Sequence, residues 1–138
     1  MSVLSKKPEI VVFAGPNGER NLKLLEKAKE KGYFIRCYYV LTADPMINVW
    51  RVKSRVESGG HDVPEEKIIT RYDRALKLIK DLVKICDVCH IYDNSGNRPF
   101  RIFKKRKEEI YFDECSEWYL EDIQMLTAID HMIKKNLN

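Results

Sequence analysis

Two groups of residues in this sequence have the types and spacing for phosphate chemistry. The first is Gly15-Pro16-Asn17-Gly18, which ends the apolar run Glu9 to Ala14 (EIVVFA). Glycines at a strand end let successive backbone N–H groups curl around an anion, as in the opening half of a phosphate-binding loop. The complete loop continues into Gly-Lys-Ser/Thr, whose lysine reaches the β- and γ-phosphates and whose hydroxyl holds Mg²⁺. Counted from Gly15, those three positions hold Arg20, Asn21 and Leu22, so the second half is absent. Taken alone, the turn is equally a bare strand-to-helix connection with no ligand.

The second group is a set of arginines. Arg51 and Arg55 stand four apart and share one helix face. Gly59-Gly60-His61 makes a flexible corner, and Pro64 restarts a helix bearing Arg71 and Arg74 opposite its apolar stripe. Two such helices joined by a glycine hinge can close over a triphosphate, because planar, permanently charged guanidinium groups suit phosphate oxygens. Composition by itself favours the plainer reading of solvated helix arginines, since 33% of the residues are charged.

Other reactive groups carry weaker signals. Cys86-Asp87-Val88-Cys89-His90 has the spacing of a covalent haem attachment, but it spans a helix end and a strand. Buried thiols are the simpler reading. A zinc site would need two more ligands, Cys37 and Cys115 are scattered along the chain, and no metal ligand is assigned. His61 could touch phosphate from the corner, or cap the helix that begins at Pro64. Lys104-Lys105-Arg106-Lys107 lies between two strand-like segments and reads as a charged hairpin turn, with a basic RNA-binding module as the rival.

The elements that would position these groups follow from periodicity. Glu9 to Ala14 lacks polar alternation, which suggests a strand buried on both faces. Leu22, Leu25 and Ala28 recur at helical spacing between Arg20 and Lys31, with Gly32 where a left-handed cap belongs. Phe34 to Leu41 is a second strand. Asp44-Pro45 starts a helix that runs to about Glu57. Ile68, Tyr72, Leu76, Ile79 and Val83 form one apolar stripe on the helix from Pro64 to about Lys84. Val88 to Tyr92 is a third strand, followed by the turn Asp93 to Gly96. Pro99 to Phe103 and Glu109 to Phe112 form a short antiparallel pair. A last helix is expected over about Ser116 to Lys134, with Trp118, Leu120, Ile123, Leu126 and Ile129 facing the core.

Strands separated by helices imply a parallel sheet with right-handed crossovers, hence a three-layer α/β fold. Ligands bind such sheets at the carboxyl ends of the strands. Here those ends carry Gly15 to Gly18, Thr42-Ala43-Asp44 and Asp93-Asn94-Ser95. The 138 residues suffice for one domain, 1–138, with a core that needs no disulfide or metal. A net charge of +4 with alternating signs argues against a nucleic-acid stripe. The apolar run behind Met1 to Glu9 is too short for a signal-peptide core or a membrane span, so the expectation is cytoplasmic, with four reduced cysteines.

The stretch from Arg51 to Glu65 (RVKSRVESGGHDVPE), with Ile68 and Arg71-Tyr72, closely resembles the lid of zeta-toxin-like P-loop kinases. Phe13 to Gly18 upstream and Asp93-Asn94-Ser95 downstream extend the likeness over about residues 8 to 112. The pattern RV-x-x-RV-x-x-GGH-x-VP is its most specific part. The resemblance implies a three-layer parallel-sheet, P-loop NTPase-like (nucleoside-kinase-like) fold with a lid over about 51–74. It also implies an ATP- or GTP-binding phosphotransferase that uses Mg²⁺, acts on a small-molecule acceptor such as a UDP-linked amino sugar, and has an antitoxin protein as partner.

Position by position, Gly15, Pro16, Asn17 and Gly18 match the start of the phosphate loop. Arg55 and Arg71 match the lid arginines that stabilise the transferring phosphoryl group. Asn94 matches the nucleotide-base loop, and Arg20 the segment near the acceptor. In the family a lysine, a Mg²⁺-binding hydroxyl and a catalytic aspartate follow Gly-Pro-Asn-Gly. Here Gly18 runs directly into the later segment. Either that stretch belongs to the natural protein and is missing from this sequence, or the protein carries an internal deletion. In the second case it is a catalytically inactive nucleotide-binding or regulatory remnant.

Overall fold

The computed structural model describes residues 7–15 and 21–138. Six strands and four helices follow one another as β1 (Glu9–Ala14), α1 (Asn21–Glu30), β2 (Phe34–Leu41), α2 (Pro45–Glu57), α3 (Glu65–Ile85), β3 (Val88–Asp93), β4 (Phe100–Arg106), β5 (Glu109–Phe112), α4 (Leu120–Thr127) and β6 (Ile133–Lys134). The sheet has the order β1-β2-β3-β4-β5-β6. Crossover helices make β1, β2 and β3 parallel, whereas the turn after Asp93 sets β4 antiparallel to β3 and the turn after Arg106 sets β5 antiparallel to β4. The sheet is therefore mixed, not parallel as expected, although the antiparallel pair lies where the sequence placed it.

The three-layer expectation also needs correction. Side chains alternate along each strand, and one sheet face carries Val12, Cys37, Tyr39, Cys89 and Ile91 into a single core with Leu25 of α1, Ile79 and Val83 of α3, and Ile123 of α4. The other face holds Val11, Phe13 and Val40, which stay exposed, so β1 is not the doubly buried strand that its apolar run suggested. Among the described residues α1, α3 and α4 build one helical layer. α2 packs on α3 instead, through Val49, Val52 and Ile68.

On the open face a ladder of rings crosses the strands: Phe13 stacks on Tyr38 (5.3 Å between centroids) and Tyr38 on His90 (4.9 Å). His90 is buried there and receives a contact from Arg101 Nη1 at 3.1 Å on Nδ1. Burial first, then the charges of Arg101, Lys104 and Arg36, push the imidazole down to about 4. An unfolded chain protonates this group near its ordinary value of about 6.5, so between about pH 6.5 and about 4 the folded state binds fewer protons. Stability accordingly falls as the pH drops through that window and is unaffected above it. Denaturant titrations at pH 7.5 and 4.5 check this, and His90→Phe, which keeps the ring stack, flattens the loss.

The last helix is shorter than its periodicity implied. Asp122 Oδ2 accepts from Tyr119 N at 2.9 Å, which starts α4 at Leu120, and Ala128 ends it in the left-handed conformation (φ 57°). The chain then turns back, and β6 pairs with β5. The expected core positions survive: Trp118, Ile123 and Leu126 are buried, while Leu120 and Ile129 pack beside them. The basic run is mostly strand rather than turn. Lys107 alone takes the positive φ (56°) of the corner. Lys105 turns to the helical side, where its Nζ donates to Val83 O at 2.7 Å, so the run is split between the two faces of the sheet.

Candidate functional site

The parallel strands β1 to β3 end on one edge of the sheet, and polar groups tie those ends together. Tyr39 OH donates to Gly15 O (3.1 Å), and Tyr72 OH of α3 donates to Thr42 O (2.7 Å). Ser95 Oγ accepts from Ala43 N (2.8 Å) and donates to the buried carboxyl of Asp93 (2.6 Å), which also accepts from Trp118 Nε1 (3.2 Å). Asp44 caps α2 by accepting from Met46 N at 2.8 Å, as the Asp-Pro pair indicated.

α2 ends in a tight glycine turn. Gly60 N donates to Arg55 O at 2.6 Å, and Gly59 adopts φ +93°. A Cβ on Gly60 would stand 2.9 Å from Arg55 O. Gly60→Ala therefore forces the turn apart at a cost of about 1–3 kcal/mol, and a thermal melt should register it as a lowered Tm. The helix that follows begins at Glu65 without a side-chain cap, so His61 does not play the capping role considered for it.

Between α2 and α3 lies a cleft of about 520 Å³ whose lining includes Trp50, Arg51, Arg55 and Arg71. Of the four arginines singled out from the sequence, Arg51, Arg55 and Arg71 thus line one space. Arg51 Nη2 also donates to Asn94 O at 2.6 Å, which ties the cleft to the loop after β3. A second cavity of about 480 Å³ adjoins it, lined by Met46, Trp50, Arg51, Ser95, Gly96 and Asn97. Trp50, 68% exposed, borders both. The arrangement offers guanidinium forks for an anion beside a flat apolar ring for a planar group.

Not every expected residue joins this site. Asn94 contributes its carbonyl to Arg51 but lines neither cavity, and Gly15 sits at the end of β1 outside the cleft lining. Pro16, Asn17, Gly18 and Arg20 lie outside the described residues. Trp50 was missed, because an exposed tryptophan and a core tryptophan look alike until the helix's buried face (Val49, Val52) is known. No carboxylate lines the cleft among the described residues, so a hard cation such as Mg²⁺, which wants carboxylate and phosphate oxygens, would find no protein oxyanion there.

The cysteines are not scattered in space as they are in sequence. Parallel pairing sets Cys37 against Cys89, and Cys86 closes the group from the end of α3. Their Sγ atoms all lie within 4.8 Å of one another. His90 points to the opposite sheet face, which removes the haem reading.

Comparison with known proteins adds little to this geometry. No family model matches the chain, and no solved structure does. An uncharacterized protein of Haemophilus influenzae is 34% identical over 56 residues, which make up 41% of this chain and 40% of that protein. The chain thus spans well under half of the relative it matches. Among the described residues no helix is long and apolar enough to cross a membrane.

Proposed function

We propose that this chain binds a nucleotide in the cleft between α2 and α3, with phosphates held by Arg55 and Arg71 and the base laid on Trp50. The observation that carries the reading is the convergence of Arg51, Arg55 and Arg71 on one cleft beside an exposed indole. Guanidinium–phosphate bonds are charge-assisted and bidentate, and stacking on an aromatic ring contributes about 1–3 kcal/mol per base. The pattern RV-x-x-RV-x-x-GGH-x-VP, which spans α2, the Gly59-Gly60 turn and the start of α3, resembles the lid of zeta-toxin-like kinases. On that resemblance the ligand is ATP or GTP. Calorimetric titration with each, with and without Mg²⁺, tests the proposal. Saturable binding supports it, and no heat at millimolar nucleotide sinks it.

A second reading is phosphoryl transfer to a small-molecule acceptor. The paired arginines favour it, because such groups neutralise charge developing on the transferred phosphoryl group. For the sequence as it stands, Arg20, Asn21 and Leu22 replace the glycine, lysine and hydroxyl of the loop. Positioning and charge neutralisation are nearly the whole of this catalysis. Nucleotide binding without turnover is therefore the expected behaviour. An assay of ATP consumption with a UDP-linked amino sugar decides between the two, and an intact mass above 16.3 kDa would show that the natural protein carries more than this sequence.

A further inference from the structure

Cys37, Cys86 and Cys89 are 0%, 1% and 0% exposed, and none of the three is in a disulfide. Three sulfurs bonded to one ion at about 2.3 Å in a plane stand about 4.0 Å apart, and the observed set already lies within 4.8 Å. The difference to be closed is at most about 0.8 Å. Among the described residues no fourth ligand joins the three sulfurs. Both carboxylate oxygens of Asp87 are engaged, Oδ1 by Lys29 Nζ (2.7 Å) and Oδ2 by Ile35 N (2.8 Å). His90 faces the other side of the sheet, and Cys115 belongs to a different group, with Asp93 and Glu117. Structural zinc is almost always four-coordinate, while soft thiolates select Cu(I).

We propose that Cys37, Cys86 and Cys89 form a buried three-thiolate site that takes one Cu(I) ion. Each Cu–S bond forms as the S–H proton leaves, so binding one ion releases the protons these thiols carry and changes no oxidation state. The charge left behind is negative, and Lys105, anchored on Val83 O at 2.7 Å, is the nearby compensating cation. This assignment is independent of the arginine cleft.

The test is an anaerobic titration of the reduced chain with Cu(I) against a competing chelator. One ion should bind per chain, with thiolate-to-copper charge-transfer absorption in the near ultraviolet. Cys37→Ser, Cys86→Ser and Cys89→Ser should each weaken binding at least about 100-fold, the upper scale of losses from outer-shell changes alone. Cys115→Ser should leave it unchanged. X-ray absorption on the copper-loaded wild-type chain needs no variant and should return three sulfur neighbours. The proposal fails if the folded wild-type chain retains no copper, if binding follows Cys115, or if the spectrum shows two sulfurs.

Discussion

Replacing Arg55 and Arg71 together with alanine should reduce nucleotide affinity by at least about 100-fold. A hydrogen bond to a charged partner contributes about 1.5–3 kcal/mol, and about 1.4 kcal/mol is tenfold in affinity, so each arginine is expected to contribute about tenfold or more. Both side chains line the same cleft from different helices, Arg55 from α2 and Arg71 from α3. A phosphate held between them therefore loses contacts on both sides, and the losses should approach additivity only if the two groups act independently. Arg55→Lys and Arg71→Lys retain the charge but not the planar fork, and should recover only part of the affinity. Arg51→Ala gives a different signature. Its guanidinium holds Asn94 O at 2.6 Å, so that substitution should also loosen the loop after β3 and lower Tm. Unchanged affinity in the double variant, measured by the same calorimetry on folded protein, would reduce the three arginines to solvated surface.

The two helices that line the arginine cleft were legible in the sequence because each has a strong local signal. Asp44-Pro45 fixes the start of α2, the two glycines fix its end, and the stripe from Ile68 to Val83 fixes the buried side of α3. Once that side is known, Arg71 must point elsewhere, and the cleft is where it points. The mixed sheet was only half legible. Periodicity distinguishes strand from helix, but strand direction is set by connections, and the expectation of parallel strands generalised from β1 to β3. The exposed face was not legible at all. Val11 and Phe13 read as core because apolar character is local, whereas the helical layer that would bury them is not present on their side among the described residues. The thiol group was hidden for a related reason. Cys37 and Cys89 are 52 positions apart, and only the pairing register of β2 with β3 makes them neighbours.

The same dependence of local groups on long-range pairing makes Asp93 the side chain whose loss should be felt most in stability. It is 4% exposed, closes β3, and accepts from Trp118 Nε1 (3.2 Å) and Ser95 Oγ (2.6 Å). Ser95 in turn holds Ala43 N at the end of β2 (2.8 Å). One carboxyl thus joins two strand ends to the segment that leads into α4. Asp93→Ala leaves the buried indole N–H and the half-buried Ser95 hydroxyl without their acceptor. Each such orphan costs about 1–3 kcal/mol, so a total loss of about 3–5 kcal/mol is expected, a large share of the roughly 5–15 kcal/mol typical of a folded domain. Asp93→Asn keeps an acceptor oxygen and should cost markedly less. Trp118→Phe removes a single donor, and a double-mutant cycle between positions 93 and 118 should return a coupling of about 1 kcal/mol or more. Because Ser95 and Asn94 adjoin the arginine cleft, Asp93→Ala should weaken nucleotide binding as well, without touching any residue that contacts the phosphate. Equal denaturant midpoints for wild-type and Asp93→Ala chains would mean that these hydrogen bonds are exchanged for water at no cost, and that the strand ends are held by packing alone.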